Sequence, residues 1–257
     1  MRDIASMNCF KPISRRGALA LGASAAVAYM APIGSAASPR PAVIELFTSQ
    51  GCSSCPPADA FLTELRSTPN VIALSYHVDY WDYLGWKDTL GSPEYSQRQY
   101  DYARARGDRD VYTPQVIVEG RSHFVGSNRN VVLEAIRKAQ AEPAGVPVSL
   151  MDNGGELVVE IGEGASTGES TVWLVPLSPE VIVKIVKGEN SGKKIAYHNI
   201  VRGLVPAGMW SGKAKTLTLP KDSVLRPDCK GCVAILQQGK AGPILGSAQW
   251  GEVSVAA

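Results

Sequence analysis

The segment Cys52-Ser53-Ser54-Cys55-Pro56-Pro57 constrains this chain most, because of what lies on either side of it. Before it, Ala42 to Thr48 (AVIELFT) is an apolar, β-branched run that predicts a buried strand. After it, Phe61, Leu62 and Leu65 recur at helical spacing within Ala58 to Leu65. Prolines are tolerated at a helix start, where the first N–H groups have no intrahelical partner. Val71 to Val78 (VIALSYHV) predicts a second buried strand, and strand, helix and strand in this order read as a right-handed βαβ unit. A Cys-x-x-Cys pair is thereby placed at a strand-to-helix turn. The helix N-terminus stabilises an anion there and makes a thiol more acidic. Cys52, the more N-terminal sulfur, is assigned as nucleophile. Cys55, one turn into the helix, is assigned as the resolving thiol that attacks a mixed disulfide.

A long insertion, Asp79 to Asp110, follows. It opens with aromatics, Tyr80-Trp81-Asp82-Tyr83-Leu84-Gly85-Trp86, and continues with a helical stretch from Pro93 to Arg106. Thr113-Pro114 leads into a third strand, Gln115 to Val118. Glu119-Gly120 is a turn signal, Arg121 to Val125 a fourth strand, and Asn128 to Ala141 a closing helix with Asn128 as N-cap. A proline opening a strand after a β-branched residue predicts a cis Thr113–Pro114 bond, since cis bonds are essentially a proline property. Thr113 and Pro114 are expected to line the substrate groove beside the cysteines.

Other residues carry two readings each. Glu45, in the first strand, either accepts the proton of Cys55 or forms an edge-facing salt bridge. His77, ending the second strand, is either a metal ligand or base, or a hydrogen-bonded structural residue. Trp81, Tyr83 and Trp86 make either a substrate platform or a packed minicore. His123 and His198 have no partner signal.

Glu142 to Pro147 breaks the pattern and reads as a linker. Beyond it, Leu157–Ile161, Thr171–Leu177, Val181–Val186, Lys194–Val201, Ala214–Leu219 and Cys232–Gln237 are short strand-like runs separated by Gly, Pro, Asn and Ser. The expected fold is therefore an α/β thioredoxin-like domain over 38–142, with its insertion at 79–110, followed by an all-β, sandwich-like domain over 143–257. Cys229 and Cys232 precede an apolar strand and lack an activating helix, so a disulfide between them, either structural or exposed and redox-labile, is expected alongside Cys52–Cys55. A zinc site shared by the two pairs does not fit, with 173 residues between Cys55 and Cys229.

Residues 1–37 read as a signal peptide. Met1 to Arg16 carries four basic residues and one acidic one, Ala18 to Ala31 is an apolar run of 14 residues, and Ser35-Ala36-Ala37 is a small-x-small cleavage pattern. The run is short for a membrane span, so no stable span is expected after cleavage. Ser14-Arg15-Arg16 with Leu19 resembles a twin-arginine signal. Removing the segment takes four of 26 Lys+Arg and one of 24 Asp+Glu, leaving 22 and 23 and a formal charge of −1. A nucleic-acid partner is not expected on that balance. The leader also removes Cys9, leaving two Cys-x-x-Cys pairs, an even number suited to an oxidising periplasmic or extracellular location.

Glu45 to Asp59 (ELFTSQGCSSCPPAD), Ser75 to Asp88 (SYHVDYWDYLGWKD) and Val111 to Gln115 (VYTPQ) together resemble a family of bacterial secreted thioredoxin-like proteins of unknown function. The resemblance is strongest over residues 41–140. It implies a thioredoxin-like fold and no particular substrate. Ser-Ser between the cysteines and the aromatic insertion depart from thioredoxin itself. The leading expectation is an exported thiol–disulfide oxidoreductase acting on a protein or small thiol/disulfide substrate, with no cofactor. The alternative is a binding module that holds Cu(I) through Cys52, Cys55 and His77, since soft thiolates select that ion.

Overall fold

Strand β1 (Ala42–Thr48) is buried along its whole length, and its two faces meet different partners. In this computed structural model, which describes residues 40–253 other than 167, Ala42, Ile44 and Leu46 pack with Phe61, Leu62 and Leu65 of helix α1 (Pro56–Leu65) and Val132 and Ile136 of α3 (Arg129–Gln140). Val43 and Phe47 face the other way, onto Tyr95 and Tyr102 of α2 (Pro93–Arg106). Successive strand side chains point to opposite faces, so an unbroken apolar run needs cover on both. Helix α2 begins at Ser92, whose hydroxyl accepts from the Glu94 N–H at 3.2 Å, and ends at Gly107 in the left-handed region (φ 78°).

β2 (Val71–His77) runs parallel to β1 in a register that sets Ala42 opposite Val71 and Thr48 opposite His77. On the far side of β1, β3 (Gln115–Val118) pairs antiparallel and turns into β4 (Ser122–Val125). The sheet also extends past β2. β7 (Ser170–Lys184) pairs with β11 (Gly231–Gln238) and β9 (Val205–Trp210) along its first half and with β8 (Lys194–Val201) along its second. β12 (Ile244–Gly251) completes the edge beside β11. β8 meets β2 at Ser75 opposite Ile200, giving one nine-stranded mixed sheet with the path β12-β11-β7-β8-β2-β1-β3-β4. At this seam Asn199, in the left-handed region (φ 48°), donates through its side chain to the carbonyls of Ala73 (2.8 Å) and Val253 (2.7 Å). β5 (Val148–Asp152), β6 (Glu156–Ile161) and β10 (Lys215–Pro220) form a second sheet of three strands, next to the one-turn helix α4 (Lys221–Val224). Leu150, Leu157 and Val159 from that sheet pack on Leu174, Cys232 and Leu236 of the large one.

The expected α/β thioredoxin-like domain followed by an all-β sandwich-like domain is thereby corrected. The molecule is mostly β, 40% strand against 20% helix, and its main sheet is built from strands on both sides of the Glu142–Pro147 break. The physical reason is the open edge of β2. A buried strand edge must have its backbone N–H and C=O groups paired, and β8 and Asn199 supply those partners from more than 120 residues away. The two runs expected at Thr171–Leu177 and Val181–Val186 are also one continuous strand, β7. The leader expected at 1–37 lies outside the described residues. Among the described residues no helix is long and apolar enough to cross a membrane.

Candidate active site around the Cys52–Cys55 pair

Cys52 and Cys55 are joined by a disulfide with Cα atoms 5.4 Å apart, in the turn between β1 and α1. Cys55 is the N-cap of α1, and Pro56 and Pro57 are its first two residues. That places the sulfurs at a helix N-terminus, as expected, with one difference in the chemistry. Prolines carry no N–H, so the first helical turn offers fewer donors to a thiolate than an ordinary sequence would. Ser54 compensates: its hydroxyl lies 3.4 Å from Cys52 Sγ and is placed to donate to a thiolate there. Ser53 and Ser54 are exposed, whereas Cys52 is only 2% exposed and Cys55 is fully buried.

The turn is fixed from several directions. The Gln50 N–H donates to Asp88 Oδ2 at 2.8 Å. Trp86 Nε1 donates to Gln50 Oε1, also at 2.8 Å. Asn190, in the connection between β7 and β8, donates to the carbonyls of Gln50 (2.9 Å) and Cys52 (2.8 Å), and Lys193 Nζ donates to Asn190 Oδ1 at 2.7 Å. Asn190 is itself buried. The C-terminal half therefore supplies part of the site.

The Thr113–Pro114 bond is cis. Thr113 Oγ1 accepts from Trp81 Nε1 at 2.7 Å, and Trp81 packs against Gly51, where an added Cβ would stand 3.1 Å from Trp81 Cβ. A Cβ on Gly126 would stand 3.1 Å from Ala58 Cβ and 3.3 Å from Pro114 Cβ, so Pro114 and the first turn of α1 border the same glycine. Trp81 and Trp86 are thus working parts of the turn's support, while Tyr83, 78% exposed, stands apart from them.

Glu45 lies elsewhere. It shares the face of β1 with Val43 and Phe47, away from α1, where Arg98 Nε donates to its Oε1 at 2.7 Å and the Tyr102 hydroxyl donates to its Oε2. Arg98 also donates to Tyr102 (2.9 Å) and Gln237 (3.2 Å) and lies 4.9 Å from the Tyr102 ring centroid. Glu45 is a buried ion-pair residue that ties α2 to the sheet, and its position does not suit it to take a proton from Cys55.

The acid on the cysteine side of the sheet is Asp59, which sequence reading missed. Asp59 is four residues after Cys55 and donates its N–H to the Cys55 carbonyl at 3.1 Å, so both side chains share one helix face. Its Oδ1 accepts from Thr48 Oγ1 at 2.7 Å. Burial pushes the Asp59 carboxyl from its ordinary 3.8 up to about 7, against the opposing pull of His77 and the Thr48 hydrogen bond. His77 points to the same face, since Val71 and Ala73 of β2 pack under α1. Its Nδ1 is 2.9 Å from Asp88 Oδ2, and its ring sits edge-on to Tyr197 at 4.6 Å between centroids. Burial disfavours the imidazolium, but the charge and hydrogen bond of Asp88, with the charge of Asp59, outweigh it and hold the His77 pKa above its usual value. Burial likewise opposes the Asp88 carboxylate, and His77 with two backbone N–H donors, Gln50 and Leu90, keeps its pKa low. The signals were Asp at the fourth position after Cys55 and the shared parity of Thr48 and His77 with residues under α1.

The expected Cys229–Cys232 disulfide is not formed: both thiols are free and buried. Gly231 and Cys232 are paired in β11, while Cys229 lies before that strand, where its N–H donates to the Arg226 carbonyl at 2.9 Å. Cys232 instead fills the core between the sheets, where burial pushes its thiol up to about 12. His198 bonds Thr63 Oγ1 at 3.0 Å and His123 bonds the Tyr112 hydroxyl at 2.9 Å. His123, Asp108 and Asp110 come close enough together to hold a cation, but Asp108 is already engaged by Arg106 at 2.7 Å.

The profile of a family described as a protein of unknown function (DUF1223) matches residues 43–237. A crystal structure of a protein from Agrobacterium tumefaciens is 37% identical, with a TM-score of 0.72 over 84% of this chain and 96% of that one. HBP35 of Porphyromonas gingivalis shares 13% identity at a TM-score of 0.56, over 82% of this chain and 75% of that one, a likeness of fold alone. No curated protein matches the sequence.

Proposed function

We propose that this chain, which belongs to the DUF1223 family of proteins of unknown function, is an exported thiol–disulfide oxidoreductase in which Cys52 attacks and Cys55 resolves. The observation that carries the reading is the Cys52–Cys55 disulfide at the N-terminus of α1, with the Ser54 hydroxyl 3.4 Å from Cys52 Sγ. Support comes from the site rather than from a fold class. A thiol at a helix N-terminus is acidified by the partial positive charge there, and a second thiol held one turn away releases a bound substrate by intramolecular attack.

In the reduced protein the Cys52 thiolate attacks a substrate disulfide. One substrate sulfur leaves as a thiolate and the other is held as a mixed disulfide. Cys55 then attacks Cys52 Sγ, restoring the protein disulfide and releasing the second substrate thiolate. The reverse sequence oxidises a substrate dithiol. With Cys52 only 2% exposed, small thiols or extended peptide segments suit the site better than a rigid folded surface. The leader-like residues 1–37 support a periplasmic or extracellular setting.

The test is alkylation rate against pH, combined with trapping of mixed disulfides. Cys52→Ser is expected to abolish exchange. Cys55→Ser is expected to capture substrate and stall. A Cys52 that titrates as an ordinary thiol, together with no trapped species in Cys55→Ser, overturns the reading.

A further inference from the structure

Among the described residues, Asp59 Oδ2, His77 Nε2 and the hydroxyl of Tyr197, whose ring lies against His77, stand without a hydrogen-bond partner on the cysteine side of the sheet, and all three residues are buried. Buried polar groups are nearly always satisfied, so an orphan asks for an explanation. Here the Asp59 and His77 atoms belong to one chain of groups. Thr48 occupies the other Asp59 oxygen, Asp88 occupies the other His77 nitrogen, and Asp88 also receives the N–H of Gln50, two residues before Cys52. The chain is tied to the cysteine turn through that Gln50 N–H and through the Asp59 N–H, which donates to the Cys55 carbonyl at 3.1 Å. Helical side chains lean towards the N-terminus, so the Asp59 carboxyl is tilted back over the turn that holds Cys55, with β-carbons about 5–6 Å apart at this i, i+4 spacing.

We propose that Asp59 is the proton acceptor and donor for the Cys55 sulfur, with His77 as the positioning residue that stabilises the Asp59 carboxylate and Asp88 as the residue that holds His77 in place and charged, against its own repulsion of Asp59. This rests on the exchange reading given above. When a mixed disulfide joins Cys52 to a substrate, the Cys55 S–H proton passes to the Asp59 carboxylate. The Cys55 thiolate attacks Cys52 Sγ, the Cys52–Cys55 bond forms, and the Cys52–substrate bond breaks. The substrate sulfur leaves as a thiolate, so the protein dithiol is oxidised by the substrate disulfide with no other reactant. In the reverse direction a substrate thiolate attacks Cys52, and Cys55 departs as a thiolate that takes the proton back from Asp59. The carboxyl suits this work because burial sets its proton affinity near neutrality, at about 7. The groups that face the pair are Thr48 from β1, His77 from β2, Asp88 from the segment after β2 and Tyr197 from β8, and Arg202 acts on His77 from beyond β8.

The experiment is stopped-flow mixing of the reduced protein with oxidised glutathione. Capture by Cys52 is measured in the Cys55→Ser background, and resolution in the intact pair. Asp59→Asn is expected to slow resolution about 100-fold at neutral pH, a usual size for lost acid–base assistance, with the deficit closing as pH rises and solvent removes the Cys55 proton. Capture is expected to be unchanged, and Asp59→Glu to restore part of the loss. Equal resolution rates in Asp59→Asn and the wild type from about pH 5 to about pH 9 overturn the relay while leaving exchange standing. Absence of capture in every protein overturns exchange itself, and the relay with it. Should Asp59→Asn fail to fold, the wild-type profile decides. A break near neutral pH that moves upward in His77→Gln supports the relay, and a rate rising without a break overturns it.

Discussion

Replacing Asp59 by Asn should make the oxidised protein more stable at alkaline pH, by an amount that grows with pH. In the unfolded chain the Asp59 carboxyl loses its proton near 3.8, and in the folded protein it keeps the proton until about 7. Below 3.8 both states are protonated and the group takes nothing from stability. Between the two values the unfolded state releases its proton while the folded state holds on, so rising pH favours unfolding. Above 7 the full penalty is present and constant. At about 1.36 kcal/mol per unit of pKa difference, the penalty is about 4 kcal/mol. The attraction of His77 is already contained in that value, since it opposes the effect of burial. An asparagine never ionises, and its carbonyl still accepts from Thr48, so any packing cost is an offset that does not change with pH. Urea denaturation of both proteins, with the disulfide intact and m-values compared, gives the difference at each pH. The expected curve is flat below about pH 3, climbs between about pH 4 and about pH 7, and levels off at about 4 kcal/mol in favour of Asn by about pH 8, relative to its acid limit. A difference that stays constant across the range, or an aspartate form that gains on asparagine as pH rises, refutes the reasoning about burial.

Removing the Ser54 hydroxyl in Ser54→Ala takes away the donor 3.4 Å from Cys52 Sγ. A hydrogen bond to a charged group contributes about 1.5 kcal/mol, so the Cys52 thiol pKa in the reduced protein should rise by about one unit, read from alkylation rates. Asn190→Ala removes two buried hydrogen bonds to the Gln50 and Cys52 carbonyls and should cost about 2 kcal/mol, with faster reduction of the disulfide by small thiols; an unchanged reduction rate counts against the clamp. Arg98→Met leaves Glu45 buried without its counter-charge and should cost about 3–5 kcal/mol in denaturation. The same variant should leave the Cys52 alkylation profile unchanged, because Glu45 lies on the other face of β1.

The local parts of this molecule were readable from sequence, and the long-range ones were not. β1, α2, β3 and β8 fall where periodicity, caps and turn signals place them, because each is decided by residues within a few positions of one another. The cis bond before Pro114 was equally local. The pairing of Ser75 with Ile200 and the Asn190 clamp join segments more than 120 residues apart, and neither leaves a local mark. That is why the chain read as two fold types when one sheet runs through both halves. Within the site, the cysteines and His77 stood out by residue type, whereas Glu45 was weighed as a proton acceptor from strand position alone. The parity of β1 already separates it from α1: Thr48 falls on the face of Ile44 and Leu46, and Glu45 on that of Val43 and Phe47. Read with Asp59 one turn beyond Cys55, that parity points to the acid on the correct side.

The Asn190 clamp also has a temporal side. Chains are made from the N-terminus, so both cysteines exist for well over a hundred residues of synthesis before Asn190 and β8 do. Throughout that interval the motif turn lacks the amide that holds its carbonyls, and β2 lacks the neighbour that closes its edge. The fixing of the turn's backbone is consequently a property that arrives late, after both thiols are already in the chain. Maturation of the site is thus a late event in the life of the chain, set by the C-terminal half and not by the motif that carries the chemistry.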